Sequence, residues 1–135
     1  MKPDSGSPPP LPIRRALVVD DEILVAMAVA EQCRHLGMEV QEAYDPAEAL
    51  RRLHQDSAIT ALITDVRMPG MSGTELAVQA LKARPELLVI FITGYAEKGD
   101  ETRFGAWPVL RKPFDLREIA PALQRAAAAR AAPPA

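Results

Sequence analysis

The strongest constraint on the fold is a regular alternation of short apolar runs with helical stretches. RRALVVD (14–20), ITALITDV (59–66) and ELLVIFITG (86–94) are too short to be independent helices and rich in β-branched residues. They are apolar at successive positions rather than at every second one. A strand whose apolar side chains point both ways needs cover on both faces, as in a parallel sheet. MEVQEAY (38–44) reads as a weaker strand and PVLRKP (108–113) offers a fifth.

The segments between these strands carry helix signals. EILVAMAVAEQCRHLG (22–37) closes on Gly37, a favoured residue just past a helix end. DPAEALRRLHQ (45–55) opens with Asp45 as cap, Pro46 in the first helical position and Glu48 three residues after the cap. SGTELAVQALKARP (72–85) has a capping box from Ser72 to Glu75 and stops near Pro85. DLREIAPALQRAAAAR (115–130) is capped by Asp115 and should be kinked by Pro121. YAEKGDETRFGAW (95–107) has little helical periodicity, so the helix before the fifth strand is expected to be short or irregular. Strands alternating with helices, joined by right-handed crossovers, define an α/β fold: a doubly wound, five-stranded parallel sheet with helices on both faces.

Length and composition agree. At 135 residues, 48% hydrophobic and 25% charged, the chain should form one domain with a full core. We expect that domain over residues 14–127, between a flexible Pro-rich tail (1–13) and an Ala/Pro-rich tail (128–135) in which a fraying helix meets a Pro stop. A net charge of −2 gives no sign of a nucleic-acid or membrane surface. The single Cys33 excludes an internal disulfide or a Cys-rich zinc site and is read as a packed side chain. ILVAMAVA (23–30), the longest apolar run, is far short of the ~20 residues that span a bilayer. With no apolar signal core at the N-terminus, a cytoplasmic location is expected. That same run is apolar on all faces, which predicts cover beyond the sheet, such as a second copy, with Ala26 and Val29 as the positions to test.

In sheets of this kind, ligands gather at the carboxyl ends of the strands. The first strand ends in Asp20-Asp21-Glu22, the third in Asp65, the fourth in Thr93-Gly94 and the fifth in Lys112-Pro113. Each has an ordinary reading alone: helix capping for the acids, β-propensity for Thr93, a solvated charge for Lys112. Together they bring carboxylates, a hydroxyl and an ammonium to one rim. Clustered carboxylates repel one another unless a cation joins them, and a hard divalent ion such as Mg²⁺ takes oxygen ligands of this type. Lys112 supplies a point charge for a phosphoryl oxygen, and Thr93 and the Gly94 N–H can donate to another. An aspartate is a known nucleophile for forming an aspartyl phosphate. The set fits phosphoryl transfer onto a carboxylate.

VVDDE, LITDVRMPGMSG, FITG and RKPF, in this order and each at the end of a strand, resemble the receiver domain of two-component response regulators over about residues 14–125. The resemblance implies a flavodoxin-like strand order of 2-1-3-4-5. It makes Asp65 the phospho-acceptor, with Mg²⁺ or Mn²⁺ bound by Asp21 directly, by Asp20 mainly through water, by Asp65 and by the backbone carbonyl of Arg67. Thr93 becomes the switch hydroxyl, and Gly94 and Lys112 phosphoryl-binding groups. Pro113 follows a cis bond that directs Lys112 inward. Gly70 and Gly73 belong to the tight loop after the acceptor. The implied phosphodonor is a sensor histidine kinase or a histidine phosphotransfer protein. The output is an unidentified protein reached by protein–protein contact, with no nucleic-acid or membrane partner. The product is the modified chain itself, so the domain is not expected to be an ordinary enzyme.

Two departures stand out. Receivers usually carry an aromatic residue three positions before the lysine; here Val109 stands there and Trp107 lies two residues earlier. The interval from Thr93 to Lys112 is 19 residues, short for the family, and resembles single-domain or hybrid-kinase receivers. A phosphorylation-independent scaffold is the alternative these departures leave open. An aspartate-nucleophile phosphatase would need an acid where Arg67 stands. A flavodoxin-like cofactor binder would need a phosphate loop where Asp20-Asp21-Glu22 would repel it.

Overall fold

A computed structural model of the chain describes residues 13–94, 105 and 107–131. Five parallel strands, β1 (Arg15–Val19), β2 (Glu39–Ala43), β3 (Ala61–Asp65), β4 (Leu88–Thr93) and β5 (Val109–Arg111), lie in the order β2-β1-β3-β4-β5. Four helices are described: α1 (Ile23–His35), α2 (Pro46–Gln55), α3 (Gly73–Ala83) and α4 (Ile119–Ala131). The expected irregular helix at 95–107, apart from residues 105 and 107, the Pro-rich segment at 1–12 and the terminal Pro stop lie outside the described residues.

The pleat explains the continuous apolar runs. Ala16 and Val18, Ile63, and Ile90 and Ile92 face α1 and α4, where they pack with Val29, Ala30 and Leu123. Leu17 and Val19, Leu62, and Val89 and Phe91 face the opposite side and pack with Leu53, Leu76 and Ala80. β2 is an edge strand, and only Ala43 at its end is fully buried. That is why its sequence alternates weakly. Cys33 is buried in the first layer, where burial pushes its thiol up to about 12.

The helix ends follow local chemistry. Asp45 Oδ1 accepts the Glu48 N–H at 2.8 Å, with Pro46 in the first turn of α2. Ser72 Oγ accepts the Glu75 N–H at 3.2 Å. α1 ends in two paired bonds, Gly37 N–H to Arg34 O at 2.9 Å and Met38 N–H to Cys33 O at 3.1 Å, with Gly37 at φ +95°. Only glycine adopts that left-handed geometry at little cost.

Two expectations change. Asp115 and Glu118 form a reciprocal capping box around a 3₁₀ turn, Leu116–Glu118, and α4 starts only after it. Pro121 is therefore the third residue of α4, where a backbone N–H would lack an intrahelical partner anyway, and the reason to expect a kink disappears. In α1, Ala26 and Val29 face the sheet and are buried, so they cannot carry a contact with another chain. The outward face is Ile23, Leu24 and Met27, which are 54%, 79% and 50% exposed.

Candidate functional site

Strand register brings the charged termini together. β3 pairs with β1 through Val19↔Thr64 and with β4 through Asp65↔Ile92, so Asp20 and Asp65 follow adjacent strands to the same edge. Thr93 ends β4, and its carbonyl accepts the Lys112 N–H at 2.8 Å, which ties the residue after β5 to the same rim. The peptide bond from Lys112 to Pro113 is cis, as anticipated. Asp20, Asp65 and Thr93 are buried, whereas Asp21 and Gly94 are exposed.

The loop after Asp65 is held by backbone contacts. The Val66 N–H donates to Ile92 O at 2.8 Å and the Gly73 N–H to Val66 O at 2.8 Å. Gly70 sits at φ +87°, the tight turn expected of it. Gly73 is needed for a different reason: a Cβ there would lie 2.0 Å from the carbonyl oxygen of Asp65. The first turn of α3 thus rests directly on the backbone of the aspartate. Beneath it, the buried Thr64 hydroxyl donates to the same carbonyl at 2.9 Å.

The side chains form one compact electrostatic unit. Asp20, Asp21 and Asp65 each offer an oxygen, and these oxygens lie within 4.8 Å of one another. Lys112 Nζ stands 3.5 Å from Asp20 Oδ2, 3.6 Å from Asp65 Oδ2 and 3.0 Å from Glu22 Oε1. Burial, reinforced by Asp65, pushes the Asp20 carboxyl up to about 6, although the Glu22 N–H donates to Asp20 Oδ1 at 2.9 Å. Burial also raises Asp65, against the pull of Lys112 and of the Arg67 N–H. For Lys112 burial acts downward, but the bond to Glu22 and the charges of Asp20 and Asp65 outweigh it and raise the ammonium.

This donor set fits a hard divalent cation. Asp20 Oδ2 is buried without a hydrogen-bond partner, and the lysine at 3.5 Å is its only compensating charge among the contacts described. One ammonium faces three pocket carboxylates and Glu22, so the cluster is short of positive charge.

Sequence reasoning did not anticipate the role of Glu22. Helix capping was the ordinary reading of its side chain, yet Glu22 is the cap residue of α1 and makes no side-chain cap bond. It turns to Lys112 instead. Trp107 is half-buried and packs against both apolar layers, while Val109 packs against the α2–α3 layer.

A five-stranded doubly wound sheet with an acidic pocket and one lysine at its carboxyl edge defines the class. A family model, the response regulator receiver domain, matches residues 16–124, and the chain belongs to that family, the receiver domains of two-component systems. It is 33% identical over 110 residues to the response regulator receiver protein CpdR of Brucella abortus, covering 79% of this chain and 91% of CpdR. It is 32% identical over 111 residues to the sensor kinase CckA of the same organism, covering 77% of this chain but only 11% of CckA. Among solved structures, the response regulator TrrA of Thermotoga maritima, in complex with Mg²⁺ and BeF, superposes with a TM-score of 0.75 at 28% identity over 84% of this chain and 99% of that one. No helix among the described residues is long and apolar enough to cross a membrane.

Proposed function

We propose that this receiver takes a phosphoryl group from a phosphohistidine onto Asp65, using Mg²⁺ or Mn²⁺, and signals through protein–protein contacts. The observation that carries the reading is the convergence of three carboxylates within 4.8 Å with one ammonium 3.6 Å from Asp65. A carboxylate oxygen of Asp65 forms the new P–O bond. The P–N bond to the donor imidazole breaks, and its electron pair returns to the ring nitrogen. Asp20, Asp21, Asp65 and the Arg67 carbonyl hold the cation, which when bound offsets the charge on the phosphoryl oxygens. Lys112 and the Gly94 N–H take up further phosphoryl charge, and the Thr93 hydroxyl donates to one oxygen. Gly70 and Pro113 shape the loops that carry these groups. TrrA, whose structure holds Mg²⁺ and BeF, supports the choice of ion.

The donor is a histidine of a sensor kinase or phosphotransfer protein, and such a protein has to cover the rim around Asp65. Ile23, Leu24 and Met27 begin one residue beyond Glu22, and half-exposed Leu116 belongs to the turn packed on α1. These apolar side chains are the surface a protein donor meets first.

Intact mass after incubation with acetyl phosphate tests the chemistry. One added phosphoryl group that requires Mg²⁺ and is absent in Asp65→Asn is the expected result. No addition, under conditions where another receiver is labelled, would leave a phosphorylation-independent scaffold.

A further inference from the structure

We propose that Glu22 is a positioning residue for Lys112: its carboxylate holds the ammonium at the mouth of the resting pocket and competes with an arriving phosphoryl group for it. The inference rests on the phospho-acceptor reading above and adds a group that controls how readily the lysine becomes available.

Three observations carry it. Glu22 makes the shortest of the three acid contacts described for Lys112, 3.0 Å against 3.5 Å to Asp20 and 3.6 Å to Asp65. The side chain is also free for that contact. The Glu22 backbone is fixed by its N–H to Asp20 Oδ1 at 2.9 Å, and its carboxylate makes no cap bond to α1. Finally, the partners of Lys112 differ in burial. The Glu22 side chain is 64% exposed, while those of Asp20 and Asp65 are 1% and 6% exposed. An exposed ion pair is weak and screened by salt, so it exchanges readily. The lysine is thus held from the buried side by anions that stay and from the solvent side by one that can let go. A phosphoryl group on Asp65 presents oxygens on the side facing Lys112, and the ammonium exchanges Glu22 for them. Removing the Glu22 contact should shorten that exchange.

The test compares wild type, Glu22→Gln and Glu22→Asp, as full chains with matched thermal melts, by initial rates of acetyl phosphate labelling at saturating Mg²⁺. Glu22→Gln should label about two- to fivefold faster at low salt, the range an exposed pair can supply. Glu22→Asp keeps the charge but withdraws it by about 1.5 Å, and should label as Glu22→Gln does. The gap should close as KCl is raised to about 0.5 M. In the metal-free proteins, the Lys112 side-chain resonances should shift in both variants. A Glu22→Gln rate equal to or below wild type overturns the proposal, and so does Glu22→Asp behaving as wild type, because charge alone would then be at work. If wild type is not labelled, or Asp65→Asn is labelled too, the phospho-acceptor reading fails. The metal-free resonances then decide separately whether Glu22 holds Lys112, and unchanged signals overturn that as well.

Discussion

The two ends of the sheet treat charge in opposite ways. At the amino end, Arg15 bridges Glu39 and Asp56, reaching Asp56 Oδ2 at 2.6 Å, and the hydrogen bond from Arg15 holds the Asp56 carboxyl below its usual range. Nearby, one guanidinium, that of Arg84, donates to the carbonyls of Leu53, Asp56, Ser57 and Ile59. Acceptors there are met by donors. At the carboxyl end, Asp20 is driven up to about 6 and one of its buried oxygens lacks a hydrogen bond. Asp56 and Asp20 are the same residue type shifted in opposite directions. Burial raises Asp20, and a bound guanidinium lowers Asp56. The closed end gains stability from its charges, whereas the open end gives stability up and leaves charge for a ligand to balance.

Breaking the closed end should have the largest effect on stability. Arg84→Met keeps much of the apolar stem but removes the guanidinium from four carbonyls, of which that of Asp56 keeps the Ile59 N–H at 3.3 Å. Unmet buried acceptors cost about 1–3 kcal/mol each when water cannot replace the lost partner. Arg84 is 14% exposed, so water reaches some of them, and a net loss of about 2–4 kcal/mol is expected in urea denaturation at pH 7. A loss below about 0.5 kcal/mol would show that the clamp is dispensable and that the two ends do not differ as described.

The open end should respond the other way. Asp20 is almost fully buried, and its carboxyl sits near 6 against an ordinary value of 3.8. Between about pH 4 and 6 the folded state therefore holds a proton that the unfolded chain has already released. Stability of the metal-free protein should rise as pH falls from 7 towards 5. Asp56, with its lowered carboxyl, works in the opposite sense, and its contribution disappears only below about pH 4. A maximum near pH 5 is the expected outcome of thermal melts in the presence of a chelator. Asp20→Asn should stabilise the metal-free protein by about 1–3 kcal/mol at pH 7 and reduce the rise between pH 7 and 5, what remains coming from the raised Asp65 carboxyl. Mg²⁺ should raise the melting temperature of wild type and much less that of Asp20→Asn. A metal-free Asp20→Asn no more stable than wild type would mean that the pocket carries no electrostatic cost.

What the sequence disclosed and what it concealed divide along the same physical line. Features set by near neighbours were legible: apolar runs that mark strands, Asp45 and Ser72 as caps, Gly37 as a stop, and acids placed at strand ends. The pocket was legible because the α/β architecture itself carries those strand ends to one edge. Contacts between distant side chains were not. Glu22 and Lys112 are 90 residues apart, and Arg84 lies 25 to 31 residues from the carbonyls it holds, with no local pattern announcing either. The all-round apolar character of 23–30 was visible, but which face the sheet takes depends on the rotation of α1, and that rotation buries Ala26 and Val29 rather than Ile23 and Leu24. The 3₁₀ turn ahead of α4 was hidden for a related reason, since Asp115 and Glu118 cap a 3₁₀ turn and an α-helix with the same residues.

The loop after Asp65 gives the smallest and most local test of how the open end is held. Gly70 and Gly73 look equivalent in sequence, but only Gly70 has a positive φ, +87°, and a Cβ there would meet nothing within 4 Å. Gly70→Ala should therefore suffer conformational strain alone, about 1 kcal/mol for a left-handed L-residue, with no steric displacement of neighbouring atoms. Because the strain lies in the turn and not on the backbone that supports Asp65, Mg²⁺ should stabilise Gly70→Ala as much as it stabilises wild type. Paired melts with and without Mg²⁺ measure both quantities. A lost Mg²⁺ response at this modest cost would show that the turn at Gly70, and not only the contact of Gly73 with the Asp65 carbonyl, sets the position of the carboxylate.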